Sequence, residues 1–470
     1  MSKLLEDILY SIFEELYDDK NTLCTCLLVS KTWCEIIIPI LWRDPWKNLS
    51  KENELSLSNL IISYLTNETK NRFHYFLNYF LPNSCQKPLY NYIIYCKHLN
   101  FEKIQSISDI IYKKSNQSIT RDKIFKLFIN ENTKFTHVYI PKKFNEQIHL
   151  IPGAERCFSD IKFLSCNTNV GDNVLDGLMT ICNSIKELEI TFNGYKDNFE
   201  IVRLIESQKK LYDIYLLKEN LHYPIVTAVY KKDNYFLRCL ENSVIKHSDT
   251  IQYFKIISLP IKTNLSSLVN LKILELEFNY AVLDNLFLPS LQILRTKCVS
   301  VKSLTSFIEN TSGTLVEIVI DETVHNEIEN ERIIRAIYQN CPKLKYLKLL
   351  FRSHNILEIE KLLINCEHLN ELYIYNNTDI VFNWDNLFRI LAKSSPTCLF
   401  RFKFYNCFVV PELESLKLFF DNWKGRHPMV LQFNQMSEVE KYYDKIEKYI
   451  TEGIINKVIF QPNEGDGKVF

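Results

Sequence analysis

Hydrophobic side chains recur at three- and four-residue steps from the start of the chain. Leu5, Ile8, Leu9, Ile12, Phe13 and Leu16 fall on one helical face. The run Tyr17-Asp18-Asp19-Lys20-Asn21 breaks that pattern with turn-forming side chains, and Thr22 can cap a second helix carrying Leu23, Cys26, Leu27 and Ser30 on one side. Trp33, Ile36, Ile37 and Ile38 form a third apolar run, which Pro39 interrupts. The pattern predicts three short helices in residues 1–45, a unit too small to be comfortably stable alone. Part of its apolar surface therefore needs a cover, either a partner or the rest of the chain. Residues 46–90 read as a helical, aromatic connector with Leu55, Leu57, Leu60, Ile61, Leu65, Phe73, Phe76, Leu77 and Phe80, closed by Pro82 and Pro88.

From about residue 90 a shorter pattern returns, in which an apolar residue is followed by another three positions on and a third two positions later. It reads Ile185, Leu188, Ile190; Leu271, Leu274, Leu276; Leu344, Leu347, Leu349; and Leu369, Leu372, Ile374. Looser copies are Phe135, Val138, Ile140; Phe158, Ile161, Phe163; Leu211, Ile214, Leu216; Ile251, Phe254, Ile256; Leu315, Ile318, Ile320; and Leu399, Phe402, Phe404, with a partial copy at Leu291 and Leu294. Alternation at the end of each copy predicts a strand. The stretches between, such as Val174-Leu175-Leu178-Met179, Ile201-Leu204-Ile205 and Ile333-Ile334-Ile337, predict helices. The eighth position after the first apolar residue holds Cys166, Asn193, Asn279, Asn377 and Cys407 in five copies. The long interval between Leu211 and Ile251 predicts an extra element, with Val226–Tyr230 and Phe236–Leu240 on a helix.

Two resemblances follow. The period, the apolar spacing and the Asn or Cys position resemble leucine-rich repeats, in which each unit hides its apolar face only against its neighbours. Leu4-Leu5-Glu6-Asp7-Ile8-Leu9, then Leu27-Leu28-Val29-Ser30-Lys31-Thr32-Trp33 and Pro39-Ile40-Leu41-Trp42, resemble the F-box, with Leu5 where that family usually has Pro. The expected architecture is α/β: a leucine-rich-repeat solenoid of parallel strands inside and helices outside (91–460), behind a three-helix F-box-like module (1–45) and a connector (46–90), with a flexible tail (461–470). The F-box resemblance implies docking to a Skp-family linker and, through it, to a cullin. Leu4, Leu5, Ile8, Ile12, Phe13, Leu27, Val29 and Trp33 would form that contact, and the repeats would hold a protein substrate. The bland alternative for the same helices is a cap on the repeat body, in a scaffold that never meets a ligase.

Composition removes several other classes. With 56 basic and 56 acidic residues in 470, no overall field favours nucleic acid or an anionic membrane. Glu6, Asp7, Glu14 and Glu15 interrupt any signal-peptide layout, and no apolar stretch nears the roughly twenty residues of a membrane span, so the expected location is cytoplasmic and/or nuclear. Nine glycines leave no phosphate-loop or dinucleotide fingerprint. The histidines are scattered, with no nucleophile or metal spacing beside them, which predicts a non-catalytic protein without cofactor. Cys182, Cys341 and Cys366 each stand three residues before a strand pattern, one to a repeat, as buried thiols rather than metal ligands.

The outward strand positions form the expected binding surface. They are acidic in the middle of the array, at Glu187, Glu189, Glu275, Glu277, Glu317 and Asp321. Toward the C-terminus they become aromatic and basic, at Tyr346, Lys348, Tyr373, Tyr375, Arg401, Lys403 and Tyr405. Tyr346, Lys348, Tyr373, Tyr375, Arg401 and Lys403 are the expected substrate contacts, suited to an acidic or phosphorylated segment. The acidic middle would instead select a basic partner.

Overall fold

The computed structural model describes residues 3–47, 49–65, 88–111, 117–193, 197–218, 235–259, 265–278, 283, 286–323, 325–376, 382–406, 411–434 and 442–461. The chain divides into two compact units, residues 1–223 with 242–244, and residues 224–241 with 245–470.

The first unit opens with α1 (Lys3–Glu15), α2 (Lys20–Cys26) and α3 (Lys31–Leu41). Phe13, Leu23, Ile37 and Ile40 form their common core, with Leu9, Leu16, Cys26, Leu27, Trp33 and Ile36 packed around it. Two details differ from the sequence reading. Asp19, not Thr22, caps α2: its carboxylate accepts the Thr22 N–H at 3.1 Å and the Thr22 hydroxyl at 2.6 Å, so the helix begins at Lys20. Helix α3 also runs through Pro39 to Leu41, since the missing N–H falls opposite the carbonyl of the exposed Glu35, which water can satisfy. Ser30 caps α3 through the Trp33 N–H at 3.2 Å.

A helix α4 (Lys51–Ser63) follows, while Phe73, Phe76, Leu77, Phe80 and Pro82 of the expected connector lie outside the described residues. Five parallel strands then pair in chain order: β1 (His98–Asn100), β2 (His137–Tyr139), β3 (Phe163–Asn167), β4 (Glu187–Phe192) and β5 (Asp213–Lys218). Between them run α5 (Phe101–Ile111), α6 (Gln117–Phe128), α7 (Ala154–Phe158), α8 (Asp172–Ile181) and α9 (Phe199–Ser207).

The second unit repeats the scheme with nine parallel strands in chain order. They are β6 (Tyr253–Ile257), β7 (Ile273–Glu277), β8 (Ile293–Lys297), β9 (Glu317–Asp321), β10 (Tyr346–Leu350), β11 (Glu371–Asn376), β12 (Arg401–Asn406), β13 (Met429–Asn434) and β14 (Ile455–Gln461). Helix α10 (Tyr235–Ile245), at the division between the units, carries the expected Phe236–Leu240, whereas Val226–Tyr230 lie outside the described residues. Helices α11 (Val301–Glu309), α12 (Glu327–Asn340), α13 (Ile356–Asn365), α14 (Trp384–Ser394), α15 (Leu413–Asn422) and α16 (Tyr443–Thr451) complete the unit. This is the expected leucine-rich-repeat architecture within each unit.

The apolar triplets fix the register. Ile185, Leu188 and Ile190, and their counterparts Leu344, Leu347 and Leu349, are fully buried, as are Val174, Leu178, Ile201, Leu204, Ile333 and Ile337 on the helices. One copy was set wrongly. The buried triplet at β3 is Ile161, Leu164 and Cys166, three residues later than the expected Phe158, Ile161 and Phe163, so Phe163 belongs to the opposite, open face of the sheet. Cys166 is therefore a strand-core residue, not the turn position. Asn193 directly follows β4, its N–H donating to the Thr168 hydroxyl at 3.3 Å, and Asn279, Asn377 and Cys407 lie outside the described residues. Cys182, Cys341 and Cys366 follow directly on the last residues of α8, α12 and α13, and burial pushes each thiol up to about 12.

Candidate functional site

Two features stand out: exposed apolar residues on the helical module and the open strand faces of the two units. On α1, Leu5, Ile8 and Ile12 share a face turned away from Phe13, and they are 42%, 48% and 51% exposed. Leu28 and Val29, in the turn before α3, are 87% and 60% exposed. Five large apolar side chains are thus exposed on one small three-helix module.

Of the residues expected to touch a linker, Leu5, Ile8, Ile12 and Val29 are thus accessible. Leu4 lies in α1, with its side chain outside the described residues. Phe13 is buried and meets Trp33 edge to face at 5.0 Å, while Leu27 packs against the same core. Phe13, Leu27 and Trp33 accordingly shape the module from within, because three short helices need them for their own core. Leu28 was missed, being masked in sequence by its neighbour in an unbroken apolar run.

The module is held firmly to the first repeats. The Arg43 carbonyl accepts the N–H groups of Lys97 and His98 at 2.8 and 3.2 Å, and the indole of Trp46 donates to the His98 carbonyl at 2.7 Å. Trp42 stacks on Tyr92 with centroids 4.7 Å apart. The Arg43 guanidinium pairs with Glu14 and lies over the Tyr17 ring, and its hydrogen bond holds Glu14 below the usual carboxylate range. The outer edge of β1 is thereby capped by Arg43 of the module and Trp46 of the connector.

On the open face of the second unit, charges of opposite sign alternate from strand to strand. Glu275 sits between Lys255 at 2.9 Å and Arg295 at 2.7 Å, and Arg295 Nε reaches Glu317 at 2.7 Å. Lys297 lies 3.5 Å from Glu277 and 3.3 Å from Glu322. Burial alone would raise the Glu275 carboxyl, yet the hydrogen bonds from Arg295 and Lys255 outweigh it and leave the group below its ordinary value. Lys255, Glu275, Glu277, Arg295, Lys297 and Asp321 line a shallow cavity of about 240 Å³ whose charges are already matched.

The expected substrate patch continues this network. Lys348 is only 1% exposed: its ammonium bonds Asp321 at 2.7 Å and lies over the Tyr373 ring at 4.6 Å. Tyr375 is 5% exposed and donates to the Ile320 carbonyl at 3.0 Å. Neither is presented on an open surface, because the aromatic side chains of β11 fold over the ammonium of β10. Tyr346 and Tyr373 are half-buried, Arg401 is exposed, and Lys403 bonds Glu371 at 2.7 Å, with Arg401 3.8 Å from the same carboxylate.

The first unit's open face is different. Its register aligns His98, His137, Phe163, Glu187 and Asp213 in one row, and Asn100, Tyr139, Ser165, Glu189 and Tyr215 in the next. The imidazoles of His98 and His137 stack at 3.9 Å and are lowered to about 4, by burial first, then for His98 by Arg43 and for His137 by His98. Asp44 Oδ2 lies 3.4 Å from His98 Nδ1, but not aimed as a hydrogen bond, so that buried nitrogen has no hydrogen-bond partner. Among the described residues, no group of three His, Cys, Asp or Glu side chains is placed to hold a metal, and no helix is long and apolar enough to cross a membrane.

Residues 6–48 match the F-box-like family. Comparison with curated proteins finds no match. Among solved structures, the leucine-rich-repeat-containing protein LegL7 from Legionella pneumophila is 14% identical, with a TM-score of 0.30, over 66% of this chain and 88% of that one. At that score the likeness adds nothing to the strand order above. The class is set by the first match together with the fold: an F-box-like domain followed by strand–helix repeats of leucine-rich type.

Proposed function

We propose that this chain is the substrate-recognition adaptor of an SCF-type cullin–RING ubiquitin ligase. The carrying observation is the exposed stripe of Leu5, Ile8 and Ile12 on α1, with Leu28 and Val29 exposed in the turn before α3, on a module whose residues 6–48 match the F-box-like family. Fully withdrawing a large apolar side chain from water is worth about 1.5–3 kcal/mol, so such a stripe can support firm docking to a Skp-family linker after the cost of association. The adaptor does no chemistry of its own. It raises the effective concentration of substrate lysines near a charged conjugating enzyme, in the cytoplasm or nucleus.

This reading divides the chain into a docking module (1–45), a connector (46–90), a substrate-holding repeat body (91–460) and a tail (461–470). On the second unit, Tyr346, Tyr373, Arg401 and Lys403 are its available substrate contacts. One observation favours a plain repeat scaffold instead: the Arg43 and Trp46 bonds cap β1, as a simple cap would. A cap, however, gives the outward stripe on α1 no task. Co-purification of the full chain with a Skp-family linker and a cullin tests the proposal. Recovery of both supports it, and a chain that recovers neither is a scaffold.

A further inference from the structure

Glu187 and Asp213 are register neighbours on β4 and β5, and Glu189 lies two positions along β4 on the same face. No cation among the described residues pairs with any of the three; Glu189 only accepts a hydrogen bond from the Ser165 hydroxyl at 2.7 Å. Asp213 is pushed up to about 6, by its burial and then by Glu187. The contrast with Glu275 is direct, since there two cations more than offset a deeper burial.

Beside the carboxylates, β1 to β3 lay flat rings on the same face. His137 stacks on His98 and faces Phe163 at 5.5 Å, and Tyr139 faces Phe163 at 5.3 Å. A third observation comes from Asn167, on the same face of β3 as Phe163 and Ser165 and only 3% exposed. Its Oδ1 accepts the Asn169 N–H at 2.9 Å, whereas its amide Nδ2 has no hydrogen-bond acceptor. A buried donor without an acceptor is costly and calls for a carbonyl from elsewhere.

We infer that the first unit's open sheet face is a docking surface for an extended basic peptide segment, with an arginine or lysine held at Glu187, Glu189 and Asp213 beside the Phe163 and His137 rings. A guanidinium suits this place best. It can bond two carboxylates in its plane while its face lies on an aromatic ring. On binding, the Asn167 amide would turn outward to donate to a main-chain carbonyl of the same segment. Five strands at about 4.8 Å spacing give a face about 20 Å wide, which about six extended residues cross. The surface works independently of linker docking, so it holds whether or not the helical module joins a ligase.

The test uses the full chain and fluorescein-labelled peptides of about eight residues, one series alternating Arg with Leu and the other Glu with Leu. Fluorescence polarisation should show the Arg series bound at least about tenfold more tightly, with affinity falling as salt rises. The triple variant Glu187→Gln, Glu189→Gln, Asp213→Asn should lose that preference while melting no lower than the parent. Glu187→Gln alone, the mildest change, should weaken binding in the same direction. Neutralising an exposed ion pair on helix α12 of the other unit with Glu331→Gln and Arg335→Gln should leave it intact. Equal binding of both series, preference for the Glu series, or an unchanged preference in the triple and single variants overturns the inference.

Discussion

The two sheet faces share a backbone plan and differ in how their charges are arranged. On the second unit, Lys255, Glu275 and Arg295 alternate in sign across adjacent strands, as do Glu277, Lys297 and Asp321 with Lys348. On the first, Glu187 and Asp213 stand side by side with the same sign, next to neutral stacked rings. A face that satisfies its own charges is part of the fold; a face that leaves them unmatched has interaction energy to offer a partner. Acidic residues at equivalent positions therefore stand in different electrostatic settings, and counting them along the chain misses the difference.

The largest expected effect strikes the matched face. Asp321→Ala leaves the buried Lys348 ammonium without its carboxylate and should destabilise the second unit by about 3 kcal/mol in urea unfolding. Lys348→Met should cost much less, because it removes the buried charge itself.

Next comes the histidine stack. Because His98 and His137 titrate near 4 in the folded chain against about 6.5 when unfolded, their contribution is complete above pH 6.5 and is lost as pH falls toward 4. With allowance for partial exposure, this amounts to about 2 kcal/mol at pH 4. Amides of β1 to β3 should lose hydrogen-exchange protection over that range relative to β9 to β11.

Asp213 has the opposite sign. Its raised carboxyl binds a proton in the folded chain between about pH 4 and 6 that the unfolded chain releases, so stability falls as pH rises through that window. Asp213→Asn should thus raise stability by about 1 kcal/mol at pH 7.5, after allowing for solvent screening, and by nothing at pH 4. The smallest effect belongs to Arg401→Gln, which breaks a 3.8 Å exposed pair and should change stability by less than about 0.5 kcal/mol.

Apolar periodicity carried most of the architecture. It placed the module's helices and the buried triplets from Ile185 to Phe404, because helix and strand burial follow strict spacings. It slipped at β3, where Phe158, Ile161, Phe163, Leu164 and Cys166 offer two registers and only the packing of Phe163 against His137 and Tyr139 separates them. It passed over β13, where Pro428 holds the first apolar position, and β1, where Cys96 does. It also passed over β14, although Ile455, Val458 and Phe460 keep the spacing. The exposed apolar face of α1 was legible in Leu5, Ile8 and Ile12. Phe13 is taken into the module's own core and Trp33 packs against it, because apolar character does not say which face a short helix needs for itself. Lys348 and Tyr375 read as surface groups, since an ion pair to a residue 27 positions away and a hydrogen bond to one 55 positions away leave no local trace.

The central claim, that the exposed α1 stripe is a linker-docking face, is tested most directly by calorimetry of the full chain against a purified Skp-family linker, with and without Ile8→Asp and Ile12→Asp. Both side chains point to solvent, so the double variant should keep the parent's melting temperature and lose linker binding by at least about a hundredfold, near 2.8 kcal/mol. Unchanged affinity in a folded double variant, or no heat with the parent chain, would contradict it.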